Sequence, residues 1–220
     1  MGKSKFLLLG LAMAALAACN NATTADQATI TEKKETANET GKQLAIDNAN
    51  SSVRFTGYGV GKSHPGNFRL SDGNIHVNEN RLTGGNFTID ITSMQVEEEG
   101  DMFQNKLKPH LLSADFFDVE KYPTAKFEIT EVKPFSPTGN DTSVVAGANY
   151  LVSGNFTLKE ETKNISFPAK IEMSENGLKA AANFNIDRTQ WNMRWGNDKS
   201  LGDKFISENV NIQLNLVANP

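Results

Sequence analysis

The sequence predicts an all-β fold of antiparallel strands, and three observations predict it. From Gln43 onward apolar residues recur at every second position, turn-forming residues separate these runs, and a single later stretch breaks the rhythm. The alternation begins at Val53 and Phe55, then Phe68 and Leu70, Ile75 and Val77, Phe87, Ile89 and Ile91, and Phe127 and Ile129. It continues through Tyr150, Val152, Phe156 and Leu158, then Ile165, Phe167, Ile171 and Met173, then Phe184 and Ile186, then Val210, Ile212, Leu214 and Leu216. The residues between them are largely Asn, Ser, Thr, Lys and Glu, which places one face of each strand in water. Asn-x-Ser/Thr sequons at Asn21, Asn38, Asn86, Asn140, Asn155 and Asn164 therefore carry no weight, since Asn and Thr are expected on wet faces.

Hairpin chemistry falls where an antiparallel meander needs it, at Ser71-Asp72-Gly73-Asn74, Thr83-Gly84-Gly85, Glu160-Glu161-Thr162-Lys163 and Ser174-Glu175-Asn176-Gly177. About eight or nine strands with one apolar face each can close into a barrel or pack as a sandwich, and periodicity fits both. The exception is Asp101 to Phe117, where Met102, Leu107, Leu111, Leu112, Phe116 and Phe117 are irregularly spaced around Pro109 behind an N-cap-type Asp101. One or two short helices are expected there, either capping an open end of the sheet or packed on its outer wall.

The chain of 220 residues and formal net charge −4 is long enough for a real core and has no clustered Lys/Arg face, which excludes a nucleic-acid partner. Its single cysteine excludes an internal disulfide framework and a cysteine-based zinc site. That cysteine has a particular place. Met1 to Lys5 is a short basic region and Phe6 to Ala15 an apolar one, too short for the roughly 20 apolar residues a bilayer-spanning helix needs. Residues 1–18 read as an export signal, and Leu16-Ala17-Ala18-Cys19 resembles a lipobox, which implies that Cys19 is acylated and becomes the new N-terminus. Residues 19–42 hold one large aliphatic residue, Ile30, and are expected to be a flexible tether to a domain spanning 43–220.

Polar candidates for chemistry are few. The histidines His64, His76 and His110 lack the short paired spacing of a metal site; His76 is out of phase with Ile75 and Val77 and is expected to face solvent. For His110, a hydrogen-bonded role and a contact to a ligand headgroup are comparable. Glu97-Glu98-Glu99-Gly100-Asp101 reads as a solvated acidic loop, without the alternating ligands of a calcium site. Arg188 follows Ile186 with inward parity and would need an acidic partner if buried, with Asp115 or Asp118 as candidates. Trp191 and Trp195 sit in a loop, Gln190 to Gly196, that either closes over a ligand or pins a turn. No nucleophile elbow, phosphate loop or paired acid and base is present in the sequence, so no catalytic residue, cofactor or metal is assigned and the protein is not read as an enzyme.

Several segments together resemble the YceI-like, polyisoprenoid-binding, lipocalin-like family. They are Ser52-Val53-Arg54-Phe55-Thr56-Gly57-Tyr58, Ser63-His64-Pro65-Gly66, His110-Leu111-Leu112-Ser113-Ala114-Asp115-Phe116-Phe117-Asp118 and Lys121-Tyr122-Pro123-Thr124-Ala125-Lys126-Phe127. Further on come Val152-Ser153-Gly154-Asn155-Phe156-Thr157-Leu158-Lys159, Thr162-Lys163-Asn164-Ile165-Ser166-Phe167-Pro168 and Phe184-Asn185-Ile186-Asp187-Arg188-Thr189. The resemblance covers roughly Leu44 to Ala218 and implies an extended eight-stranded antiparallel lipocalin-like barrel, with the helical insertion near 101–117, around a long isoprenoid chain. The chain departs from the family where Gly57-Tyr58-Gly59 replaces a Lys-His pair, and at Asn155 and Glu160.

A barrel of that size either fills its interior with side chains or holds one small ligand. Gly154, Ala169, Ala180 and Ala182 at inward positions are expected to leave space along the wall. The expected ligand contacts are Phe55, Phe87, Ile89, His110, Phe127, Phe156, Phe167, Phe184, Trp191 and Ile212. The partners expected are an isoprenoid-like lipid, such as a quinone or polyprenyl compound, and the membrane through acylated Cys19; a homodimer is left open. The expected setting is the bacterial cell envelope, at the outer membrane facing the periplasm or, alternatively, at the cell surface. Two functions compete: lipid binding or carriage without catalysis, and an envelope stress or interaction protein whose barrel is only a scaffold.

Overall fold

A computed structural model describes residues 25–138 and 142–220; the leader, Cys19 and the sequon at Asn140 lie outside the described residues. The strands are β1 (Asp26–Gln27), β2 (Thr29–Glu32), β3 (Lys42–Ile46), β4 (Ser52–Gly59), β5 (Lys62–Asn78), β6 (Arg81–Val96), β7 (Thr124–Pro134), β8 (Tyr150–Leu158), β9 (Glu161–Ser174), β10 (Gly177–Asp187) and β11 (Asn209–Asn219). Strands β4 to β11 pair antiparallel with their sequence neighbours, and β11 pairs back onto β4, so the sheet closes into an eight-stranded barrel rather than a sandwich. Closure removes the exposed edges that an open sheet would leave. Strand β3 continues below β4, between β5 and β11, after a break at Asp47 to Ser51.

The period-two pattern becomes the inside and outside of the wall. Phe87, Ile89 and Ile91 of β6 are buried while Asn86, Thr88 and Asp90 alternate with them on the other face, and β10 does the same with Phe184 and Ile186. A bulge shifts the β5–β6 register between Asn67 and Arg69, where the Ser93 hydroxyl accepts from the Arg69 N–H at 2.8 Å and donates to the Asp90 carbonyl at 2.6 Å. The insertion forms a π-helical turn, Phe103–Leu107, that runs without a break into α1 (Lys108–Leu112), with Pro109 in the first turn of α1.

The segment expected to be a tether is, from Asp26 onward, part of the wall. Strands β9 and β10 pair directly only between Gly177↔Ser174 and Ala182↔Ala169. Beyond that they diverge, and residues 26–32 enter the space: β1 lies parallel to β10 with Asp26 opposite Phe184, and β2 lies antiparallel to β9 with Ile30 opposite Ile165. Ala28 between them is buried and donates its N–H to the Asn185 carbonyl at 3.0 Å. The chain then crosses the outside of the barrel. Ala37 donates to the Ile129 carbonyl at 2.9 Å, and the Thr83 hydroxyl donates to the Thr40 carbonyl at 2.7 Å. Composition understated this segment because main-chain hydrogen bonds to the unpaired flanks of β9 and β10, not apolar burial, hold it.

The strap also changes its neighbours. Asn155 and Asn164, on faces expected to be wet, are fully buried beneath it. His76, expected to face solvent, is largely covered, with Nδ1 3.5 Å from the Glu39 carboxylate carried by the strap.

Candidate functional site

The barrel is packed at one end and hollow at the other. In the packed half, Leu44, Ile46, Leu70, Ile75, Leu82, Ile129, Val152, Ile171, Leu178 and Leu216 meet in one continuous core. Above them lies a cavity of about 520 Å³, within the range of small-molecule sites. The aromatic rings across the middle form its lower wall: Phe87 stacks on Phe127 at 5.2 Å, Phe127 reaches Phe167 at 5.9 Å, and Phe167 stacks on Phe184 at 4.0 Å and 10°. Phe127 and Phe167 stand on strands separated by β8, and their contact passes over Gly154, where a β-carbon would meet the Phe127 ring.

That geometry corrects where the space comes from. Gly154 does not open the lumen, because the Phe127 ring occupies its place, and Ala169, Ala180 and Ala182 are not among the lining residues. The space instead lies among larger apolar side chains of the strands above the phenylalanine layer. Phe55, Phe87, Ile89 and Phe127 line it from β4, β6 and β7, and Phe156, Phe167, Phe184 and Ile212 from β8 to β11. His110 lines it from the insertion.

Trp191 does not. It is fully buried at the end of the short 3₁₀ turn Arg188–Trp191, with Nε1 donating to the Phe156 carbonyl at 3.1 Å and its ring edge-on to Phe156 at 5.3 Å. It pins the turn from behind the wall. Trp195 is 51% exposed and its ring meets that of His110 at 5.2 Å.

The insertion sits at the mouth, which decides between the two placements expected for it. Leu107, His110, Leu111, Phe116 and Phe117 close the lumen from one side, and Met193, Phe205 and Ile206 of the β10–β11 connection close it from the other. The two lids touch: the His110 ring packs edge-on against Trp195 at 5.2 Å, and Arg188 lies over the Phe116 ring at 5.6 Å. His110 Nε2 is 2.9 Å from Asp115 Oδ2, a hydrogen bond that fixes the imidazole at the rim.

Polar groups are confined to this rim. Tyr58, Lys62, His64, Arg188, Asp203, Lys204 and Ser207 line the opening, and the sequence pattern drew no attention to Lys62, Asp203, Lys204 or Ser207. His64 Nδ1 lies 2.9 Å from both oxygens of Glu98, and Arg54 holds Glu97 with Nε at 2.9 Å, so the acidic run is in part anchored to the barrel. Arg188 is buried, but not against Asp115 or Asp118. Nε donates to the Ser207 carbonyl at 2.9 Å, Nη2 to those of Trp195 and Ile206 at 2.9 and 3.1 Å, and Nη1 to that of Met193. Burial lowers its pKa from the usual value, against the opposing charges of Asp187 and Glu208. Among the described residues no group of three or more His, Cys, Asp or Glu side chains converges to hold a metal.

With that geometry in place, the family model for the YceI-like domain matches residues 44–218, most of the described barrel. The chain belongs to the YceI-like family. A UPF0312 protein of Photorhabdus laumondii is 34% identical over 114 residues, 52% of this chain and 48% of that one. A UPF0312 protein of Serratia proteamaculans is 33% identical over 106 residues, 48% and 47% of the two chains. The aligned region thus spans about half the length of these curated relatives. The YceI-like barrel is also similar in fold to Burkholderia cenocepacia BcnA, with a TM-score of 0.61 at 19% identity over 79% of this chain and 99% of that one. A polyisoprenoid binding domain from Saccharophagus degradans, implicated in plant cell wall breakdown, matches with a TM-score of 0.59 at 13% identity over 80% and 97%. At these identities the likeness is one of fold.

Proposed function

We propose that this YceI-like protein is a membrane-anchored lipoprotein of the bacterial cell envelope that binds or carries an isoprenoid-like amphiphile in its barrel, without turnover. The observation that carries the reading is the blind apolar lumen of about 520 Å³, floored by phenylalanine rings and polar only at its rim. Such a shape suits a ligand with a long hydrocarbon tail and a polar end. A twenty-carbon chain at about 0.8 kcal/mol per carbon is worth about 16 kcal/mol, and association costs of about 8 kcal/mol leave a micromolar complex. The described polyisoprenoid binding of the Saccharophagus domain supports the same ligand class. The Leu16-Ala17-Ala18-Cys19 motif supports anchoring through acylated Cys19, and Asn20 after it supports the outer membrane. Native mass spectrometry of the protein extracted gently from its own host tests the ligand: a bound mass of a few hundred daltons, lost on delipidation, is expected, and an empty protein that also takes up no prenyl compound defeats the reading. Cys19→Ser is expected to move the protein from the membrane fraction to the soluble one.

A further inference from the structure

The rim of the lumen is unevenly charged. Lys62, Arg188 and Lys204 line the cavity as cations, and Asp203 is the one carboxylate among its lining residues. Arg188 is 3% exposed and gives its hydrogen bonds to the main-chain carbonyls of Met193, Trp195, Ile206 and Ser207. A buried guanidinium is ordinarily matched by a carboxylate in direct contact; here Asp187 and Glu208 oppose its charge from nearby without forming an ion pair with it, and its direct partners are carbonyl dipoles. Asp187, next in sequence, is occupied by the Thr189 N–H at 2.9 Å and the Thr189 hydroxyl at 2.6 Å.

The lysines add to this field. Among the described residues neither the Lys62 nor the Lys204 ammonium group has a hydrogen bond or an ion pair. The fold brings their chain segments together: Lys62 pairs across the β4–β5 hairpin with Gly59, Gly59 bridges to Ile206, and the Ser207 N–H donates to the Tyr58 carbonyl at 2.8 Å. Lys204 is two residues before Ile206 in the same strip. Unpaired ammonium groups thus stand where an apolar lumen opens to water, backed by a buried guanidinium that has no carboxylate in direct contact.

We infer that Lys62 and Lys204, backed by Arg188, form a site for an anionic headgroup, a phosphate or carboxylate, on the amphiphile whose tail occupies the lumen. The inference rests on the lipid-binding reading above and narrows it: a neutral quinone or alcohol would leave the lysines as they are in the unliganded barrel. An anion at the lumen edge is partly desolvated, so its hydrogen bonds to these cations are stronger than those of an exposed surface pair.

The test compares ligands with one tail and different heads. Delipidated full-length protein is titrated with geranylgeraniol, geranylgeranyl monophosphate and geranylgeranoic acid, in low and high salt. At low salt the charged ligands are expected to bind about tenfold more tightly than the alcohol. In the doubly substituted Lys62→Gln/Lys204→Gln protein the affinity ratio of charged ligand to alcohol is expected to shrink to about twofold. Both lysines are exposed, so the variant leaves the core intact. An advantage confined to the phosphate narrows the class to phosphate monoesters. Equal affinity for the alcohol, or an advantage that survives both salt and the double substitution, overturns the headgroup site and leaves lipid binding standing. Failure of all three ligands to bind overturns lipid binding, and the headgroup site with it.

Discussion

The Asn155 carboxamide binds the main chain of Lys34 in both directions, its Oδ1 accepting from the Lys34 N–H at 3.0 Å and its Nδ2 donating to the Lys34 carbonyl at 2.7 Å. A side chain here does what a neighbouring strand would do, and Asn164 supports it by donating to Asn155 Oδ1 at 3.2 Å and to the Thr130 hydroxyl at 2.9 Å. Asn155→Leu fills a similar volume but leaves both Lys34 groups without partners beneath the strap. A loss of about 1–3 kcal/mol is expected, together with faster amide exchange confined to residues 28–37. Exchange measured by mass spectrometry on the strap peptide checks this; protection unchanged from the parent protein would mean that β1 and β2 alone hold the segment.

The path of Phe127 over Gly154 makes a second outcome calculable. Adding one methyl at Gly154 drives a β-carbon into the Phe127 ring, which is confined by Phe87 and Phe167 on its other sides. Gly154→Ala is expected to cost about 1–3 kcal/mol in urea denaturation through overpacking. Combining it with Phe127→Leu should recover part of that loss, and strict additivity of the two changes would refute the contact as its cause.

These relationships show which features were legible in the sequence. The strands were, because inward positions such as Phe87, Ile89 and Ile91 must be apolar whatever they pack against. The lumen-facing set was too, for the same reason: parity identifies the inner face, which is why Phe55, Phe156 and Ile212 fall on the lining. Parity does not say which inner residues meet one another, so it could not place the packed half below the hollow one or show that Phe127 fills the gap at Gly154. Nor did it reveal the strap. Residues 26–32 carry little apolar surface, and what holds them is a gap between β9 and β10 that exists only once the barrel has closed. The one sequence trace is the pair Asn155 and Asn164 in mid-strand, opposite each other, where amides can serve as surrogate peptide groups.

Arg188 ties the lid to the wall through carbonyls drawn from Met193 to Ser207. Two effects oppose each other in Arg188→Met: the cost of burying a guanidinium disappears, while the carbonyls it satisfied lose their donor. The second should prevail, since each orphaned buried group costs about 1–3 kcal/mol and several are involved. The variant is expected to be at least about 3 kcal/mol less stable, and limited proteolysis should cut first between residues 190 and 207. A loss below about 1 kcal/mol would assign the lid's order to Trp191 instead.

Under the proposed anchoring, the strap would also set how far the barrel can stand from a membrane. If Cys19 carries the acyl chains, residues 20–25 are all that separate the anchor from β1, a reach of at most about 20 Å at the extended length of 3.3–3.6 Å per residue. Were the whole of residues 20–42 free, the same arithmetic would allow about 80 Å. So anchored, the mouth and its rim of Lys62, His110 and Lys204 would stay within a barrel's length of the lipid surface, a distance suited to exchanging an insoluble ligand. Energy transfer between a dye on the C-terminal Pro220 and an acceptor in the bilayer of proteoliposomes measures this height. Asn155→Leu combined with Ile30→Asp, which removes the carboxamide clamp and puts a charge opposite Ile165, is expected to free the strap and raise the average height by about 10–20 Å, the scale of a flexible coil of that length. Equal transfer in the parent and the variant would mean that the strap does not limit the reach.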